Sequence, residues 1–224
     1  MTPAWRRWVR RGLKVGLAWR LRTRRHRHVW IDVGAHHGET TMPFAAARPD
    51  LIVYAFEPNP VAAHWMMGRL RNYVVLPMAV ALEDGVAEFK VAAYEQSSSL
   101  LAIDDEVARN WTGGDGKFEI LKTNKVPTMR LDTFLDGMKI DKVDFLKVDA
   151  QGSDLDVVKS AGARLADVRR VQLEVATGGS LYQGAASRAD VIAFMEGSGF
   201  RLQSREDESH GQEENLTFVN LEEH

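Results

Sequence analysis

The sequence predicts an α/β domain: a mostly parallel sheet with helices on both faces. Three observations carry that reading. Short apolar runs at 29–33, 51–56 and 143–148 each end on or beside an acid, namely Asp32, Glu57 and Asp149. Helix-like stretches of about ten residues alternate with them. The length, 224 residues, suits one domain with a substantial core.

The first run belongs to VWIDVGAHHG at 29–38, a strand followed by a glycine turn. Residues 40–47 are rich in alanine and read as a helix, stopped by Arg48-Pro49-Asp50. The second strand, 51–56, leads to Glu57 and is broken by Pro58-Asn59-Pro60. Pro60 suits a first helical turn and Asn59 its cap, so 61–70 is expected to be helical. Residues 73–81 read as a third strand.

The middle of the chain is less regular. Residues 86–94 follow the turn Glu83-Asp84-Gly85 and alternate like an edge or hairpin strand. Gln96-Ser97-Ser98-Ser99 is a polar loop, and 104–125 is expected to be an irregular insertion with the character of a binding loop or lid. Regular order returns with a helix at 131–138, a strand at 143–148, a helix at 155–161, a strand at 168–175 and a helix at 189–198. Strands at 200–204 and 216–221 complete about seven, the last expected to be inserted antiparallel.

Charge divides the chain. Ten of its 29 basic residues fall within 1–31, which hold no acid, leaving 19 bases against 31 acids in the remainder. In this arm Trp5, Val9, Leu13 and Leu17 recur every four residues among arginines, the pattern of a basic amphipathic helix. Such a stripe can pack on the acidic body or lie, through residues 5–21, on an anionic membrane surface. Its apolar run is too interrupted for a membrane span or secretory signal. With no cysteine, disulfides, thiolate metal sites and a cysteine nucleophile are excluded, and a reducing, cytoplasmic setting is expected.

The motif chemistry centres on the glycine turn. Ligands of doubly wound sheets lie outside the carboxyl ends of the strands. Asp32 should therefore reach the crevice, Gly34 permit the turn, and Gly38 let helix and ligand approach. Thr40 and Thr41 could add hydroxyl contacts, and Glu57 stands where a ribose diol needs an acceptor. Dinucleotide sites favour G-x-G-x-x-G, but Ala35 and His36 stand where the pyrophosphate would approach. An acid before the turn suits an ammonium group better than a phosphate. S-adenosylmethionine carries an amino group, a carboxylate and a ribose, matching this arrangement.

Several stretches then carry a family likeness, in order: IDVGAHHGE at 31–39, FEPNP at 56–60, PMAVALEDG at 77–85, SSSL at 97–100, VPTMRLDTFL at 126–135 and VDFLKVDAQGSDLDVVKSA at 143–161. Over 29–221 the chain resembles the FkbM-type S-adenosylmethionine-dependent methyltransferases. The resemblance implies a class I methyltransferase (Rossmann-like) three-layer sandwich, residues 29–224 forming that domain behind the arm at 1–28. It places the cofactor against Asp32, Gly34, Ala35, His36, Gly38, Thr40, Glu57 and Asn59, with Ala79 and Val80 near the adenine. Family members commonly show D-x-E-G where this chain has Asp149-Ala150-Gln151-Gly152. Gln151 cannot accept a proton as a base, though it can hydrogen-bond a hydroxyl.

O-methyl transfer to a sugar, glycolipid or natural-product hydroxyl follows as the expected activity. In-line methyl transfer asks mainly for positioning, helped by a base near the departing proton. Asp149, Glu174 and His37 are the candidates for that chemistry, with Gln151, Ser98 and Ser99 positioning the acceptor. A divalent metal on Asp149, Asp154 and a further carboxylate is an alternative, but the chain lacks His-rich ligand spacing and no metal is assigned. A NAD-type oxidoreductase, and a catalytically silent membrane- or partner-binding relative, are the competing readings. Nucleic acid is not an expected partner.

Overall fold

A computed structural model describes residues 28–113 and 116–222. The basic arm therefore lies outside the described residues, apart from its last position. Among the described residues, ten strands and six α-helices run β1 (His28–Val33), α1 (Met42–Ala47), β2 (Leu51–Phe56), α2 (Pro60–Met66), β3 (Tyr73–Leu76), β4 (Ala79–Val80), β5 (Gly85–Ala92), α3 (Asp105–Asn110), β6 (Ile120–Met129), α4 (Leu131–Met138), β7 (Phe145–Val148), α5 (Asp154–Lys159), β8 (Arg170–Ala176), α6 (Arg188–Gly197), β9 (Phe200–Glu208) and β10 (Glu213–Asn220).

Seven strands form the main sheet in the order β3-β2-β1-β7-β8-β10-β9. The first five are mutually parallel, and β10 is inserted antiparallel between β8 and β9, as the strand pattern of the sequence leads one to expect. All six residues of β2 are buried, because both faces of the sheet are covered. Ile52, Tyr54 and Phe56 join a core with Leu131, Phe134 and Leu135 of α4 and Val157 and Val158 of α5. Leu51, Val53 and Ala55 face the other way, toward Ala45 of α1 and Met66 of α2. A continuous apolar run, rather than alternation, is the signature of a strand buried in this manner.

Local chemistry sets the helix starts. Asn59 caps α2, its side chain accepting from the Val61 N–H, with Pro60 opening the helix as the sequence leads one to expect. Ser187 and Asp190 form a reciprocal capping box on α6.

Three expectations need correction. The stretch 73–81 is two strands: β3 joins the main sheet, and after Pro77 and Met78 the chain enters β4 of a separate sheet, β4-β6-β5. The insertion 104–125 is partly ordered, holding α3 and the first half of β6. Most of β6 faces solvent, with only Val126 and Thr128 buried, so it lacks the apolar alternation that marks a strand. Helix α1 begins at Met42, not Thr40. None of the described helices is long and apolar enough to cross a membrane.

Candidate active site

The carboxyl ends of β1, β2, β7 and β8 open on one cavity of about 620 Å³. Gly34, Ala35, His36, Thr40, Glu57 and Asn59 line one side, and Asp149, Gln151, Glu174 and Ser98 the other. The fold thus brings together residues read as cofactor contacts and residues read as acceptor chemistry.

Gly34 ends β1 with φ +73°, and a β-carbon there would lie 1.8 Å from the carbonyl oxygen of Asp149. The glycine is required by the chain crossing behind it as well as by the turn. The turn then aims the His36 N–H at Glu57 Oε2, at 2.7 Å, while the Asn59 N–H reaches Glu57 Oε1 at 2.7 Å. Each oxygen accepts one backbone bond, leaving acceptor capacity on both. Burial raises the Glu57 carboxyl to about 7 against the pull of these N–H groups, with Asp32 and Asp149 adding to the rise.

Two residues of the motif sit elsewhere than expected. Asp32 does not line the cavity; it lies fully buried beneath it, taking a 2.5 Å bond from the Thr41 hydroxyl and an ion pair from Lys147 at 3.3 Å. A buried carboxylate needs a counter-charge, and Lys147 supplies it from the adjacent strand. Gly38 is also interior, the space for a side chain being taken by Met42 and Tyr73. Its absence of a β-carbon serves packing, not ligand approach.

Lys147 escaped the sequence reading. Its Nζ lies 3.3 Å from each of Asp32 Oδ1, Asp149 Oδ2 and the Gly34 carbonyl oxygen. Burial alone would lower this ammonium's proton affinity, but Asp32 and Asp149 outweigh it and hold Lys147 above the usual lysine range. A lysine inside the apolar run VDFLKVDA was the available signal.

Across the cavity from Glu57, Gln151 occupies a left-handed conformation, φ 50°. Its amide Nε2 donates to Asp149 Oδ1 at 2.7 Å and to Glu174 Oε2 at 2.9 Å, and its Oε1 accepts from the Tyr182 hydroxyl at 2.5 Å. The neutral amide bridges two carboxylates that a glutamate here would have to repel. Burial raises the Glu174 carboxyl well above its ordinary range, helped by the nearby Asp149, Glu213 and Asp154.

Ser98 lines the cavity and accepts from the Ala92 N–H. Ser99 does not line it; its hydroxyl donates to the Gln151 carbonyl at 2.7 Å, making it an anchor of the 149–152 turn. His37 is likewise off the lining, its ring packed edge-on to Trp65 and tilted against His36. Ala79 and Val80 border a small adjoining apolar cavity of about 30 Å³, which shares Gly34, Pro58 and Phe89 with the large one.

The cavity wall also contains residues that no motif announced. Glu206, Glu208, Glu213 and Asn215 come from the β9–β10 hairpin, and Trp111, Lys117 and Phe118 from the insertion. Trp111 and Phe118 meet edge to face, centroids 6.4 Å apart.

The chain is similar to several known proteins. The family model for the methyltransferase FkbM domain matches residues 32–202. The 2-O-methyltransferase NoeI of Sinorhizobium fredii is 25% identical over 167 residues, covering 70% of this chain and 66% of that protein. The AMB antimetabolite synthetase AmbE of Pseudomonas aeruginosa is 27% identical over 209 residues, covering 80% of this chain but 10% of its own length. Among solved structures, Aeropyrum pernix fibrillarin with natively bound S-adenosyl-L-methionine shows 12% identity and a TM-score of 0.49, covering 86% of this chain and 66% of that one.

Proposed function

This chain belongs to the methyltransferase FkbM family, and from that premise we propose that it is an S-adenosylmethionine-dependent O-methyltransferase whose acceptor is a hydroxyl of a sugar, glycolipid or natural product. One observation carries the proposal: a single cavity joins the glycine turn and Glu57 to the Asp149–Gln151–Glu174 cluster.

The residues present fit the cofactor. Glu57 keeps acceptor capacity on both oxygens where a ribose diol would sit. Gly34, Ala35, His36, Thr40 and Asn59 surround it on the same wall, and Ala79 and Val80 supply an apolar edge for the adenine. Asp32 acts at one remove, through Lys147. The bound cofactor supplies an electrophilic methyl group.

The chain's own residues do the rest. Gln151 holds Asp149 and Glu174 together. Glu174, its proton affinity raised by burial and like charge, takes the proton of the acceptor hydroxyl. The acids of the hairpin and its Asn215 amide, with Trp111 and Phe118, provide the hydrogen-bonding and stacking groups that a polyhydroxylated acceptor needs. NoeI, a 2-O-methyltransferase by name, supports oxygen as the receiving atom.

We further propose a cytoplasmic enzyme whose basic arm, through residues 5–21, makes peripheral contact with an anionic membrane. Flotation with anionic vesicles checks this: full-length protein should float, and equal recovery of arm-deleted protein would count against it. For the activity itself, incubation with labelled S-adenosylmethionine and a panel of glycan and lipid-linked acceptors should give methylated product. A folded protein that binds no S-adenosylhomocysteine would refute the proposal.

A further inference from the structure

His36 and His37 stand side by side in the glycine turn, their ring centroids 4.1 Å apart and tilted by 54°. His36 takes the left-handed backbone, φ 48°, which leads its ring to the cavity rim. Its Nδ1 lies 2.9 Å from Glu39 Oε1. A ring nitrogen facing a carboxylate at that distance carries the proton, so in the neutral ring Nε2 bears the lone pair.

That Nε2 is buried and has no hydrogen-bond partner. Its neighbour is Glu95 Oε2 at 3.7 Å, beyond hydrogen-bond reach. Two acceptors face each other across a gap, an arrangement that costs free energy when nothing joins them. Two ligands of a tetrahedral ion at 2.0–2.1 Å stand roughly 3.4 Å apart, close to the gap observed. One ligand atom each from His36, His37 and Glu95 lie within 4.8 Å of one another.

We propose that His36, His37 and Glu95 bind a divalent transition-metal ion of the zinc class at the rim of the cavity. Two imidazoles and one carboxylate suit zinc, cobalt or nickel better than magnesium or calcium. Three protein ligands leave a fourth position open to water or to a ligand of the cavity. Glu39 stands behind His36 as the carboxylate that fixes its tautomer and orientation. The histidines follow β1 and Glu95 follows β5, so the ion ties the glycine turn to the 95–97 turn across the cavity mouth. The site depends on these side chains and not on the methyl-transfer reading.

The test is isothermal titration of the full chain, stripped with chelator, using Zn²⁺ alone, with Co²⁺ absorption as a second probe. Saturable binding of one equivalent is expected, with the visible spectrum of four- or five-coordinate cobalt. His37→Ala and Glu95→Gln should each weaken Zn²⁺ affinity by at least about tenfold. His36→Asn should abolish binding while keeping the fold, since asparagine tolerates the left-handed backbone; circular dichroism verifies that. His28→Ala and His64→Ala, neither of which lines the cavity, should bind like wild type. Absence of saturable binding, wild-type affinity in all three site variants, or loss in the two controls alone would overturn the site.

Discussion

At the glycine-turn end of the cavity, Glu57 meets two backbone N–H groups from residues 36 and 59, set in place by a tight turn and a helix start. At the opposite end, Glu174 is among Asp149, Asp154 and Glu213 and is held by the side chain of Gln151. The first carboxylate is fixed by backbone, the second by other side chains. Backbone-held groups survive side-chain change, whereas a side-chain network can be rebuilt by substitution. On the proposed reading, the backbone-held end receives the cofactor and the side-chain-held end the acceptor.

The largest expected effect strikes the backbone-held end. Gly34→Val sets a β-carbon against the Asp149 carbonyl in a left-handed position, costing more than about 4 kcal/mol. Thermal denaturation should show a fall of roughly 10 °C or more, and a change under about 2 °C would mean the turn is not fixed by that contact.

Next comes the side-chain end. Gln151→Glu replaces the neutral bridge by a third carboxyl between Asp149 and Glu174, at a cost of about 2 kcal/mol. Because protonation relieves like-charge repulsion, the loss should be greater at pH 8 than at pH 6. Equal melting of variant and wild type at pH 8 would show that the acids do not repel through this position.

Glu57 gives a smaller, pH-dependent effect. Its carboxyl is raised from 4.5 to about 7 in the folded chain. Folding therefore takes up a proton there, and the group lowers stability progressively as pH rises from 4.5 to about 7. In the proposed cofactor site, ionisation would also supply the acceptor for ribose hydroxyls. S-adenosylhomocysteine affinity should accordingly rise by about tenfold from pH 6 to pH 8, and Glu57→Gln should flatten that profile. A flat wild-type profile would remove Glu57 from the ribose.

The smallest effect separates positioning from binding. Ser99→Ala loses the bond to the Gln151 carbonyl, worth about 1 kcal/mol. A few degrees of melting temperature should go while S-adenosylhomocysteine affinity stays. Weakened affinity would mean that the two ends are coupled through the 149–152 turn.

The same contrast explains what could be read from the amino-acid order. Strand ends, the Gly34 turn and the Asn59 cap are local grammar, visible within a few residues. The doubly buried β2 shows itself as an unbroken apolar run. Lys147 was missed because its partners, Asp32 and the Gly34 carbonyl, are 115 and 113 positions away, and spacing carries no trace of such pairing. The roles of Asp32 and Gly38 were displaced inward for the same reason: only the packed neighbours Thr41, Met42 and Tyr73 show that no room for ligand remains. The hairpin acids Glu206, Glu208 and Glu213 look in sequence like an ordinary solvated face, and strand pairing alone brings them to the cavity. Strand β6 stayed hidden because its exposed half carries lysines and polar residues.

The central claim is that one cavity holds the cofactor at the Glu57 end and the acceptor at the Glu174 end. Titration of S-adenosylhomocysteine into wild type, Glu57→Ala and Glu174→Gln, paired with methyl-transfer turnover, tests it directly. Glu57→Ala should weaken binding by at least about tenfold. Glu174→Gln should bind within about twofold of wild type yet lose turnover by about 10² or more. Equal weakening of binding by the two substitutions, or a folded wild type that binds nothing, would contradict the account.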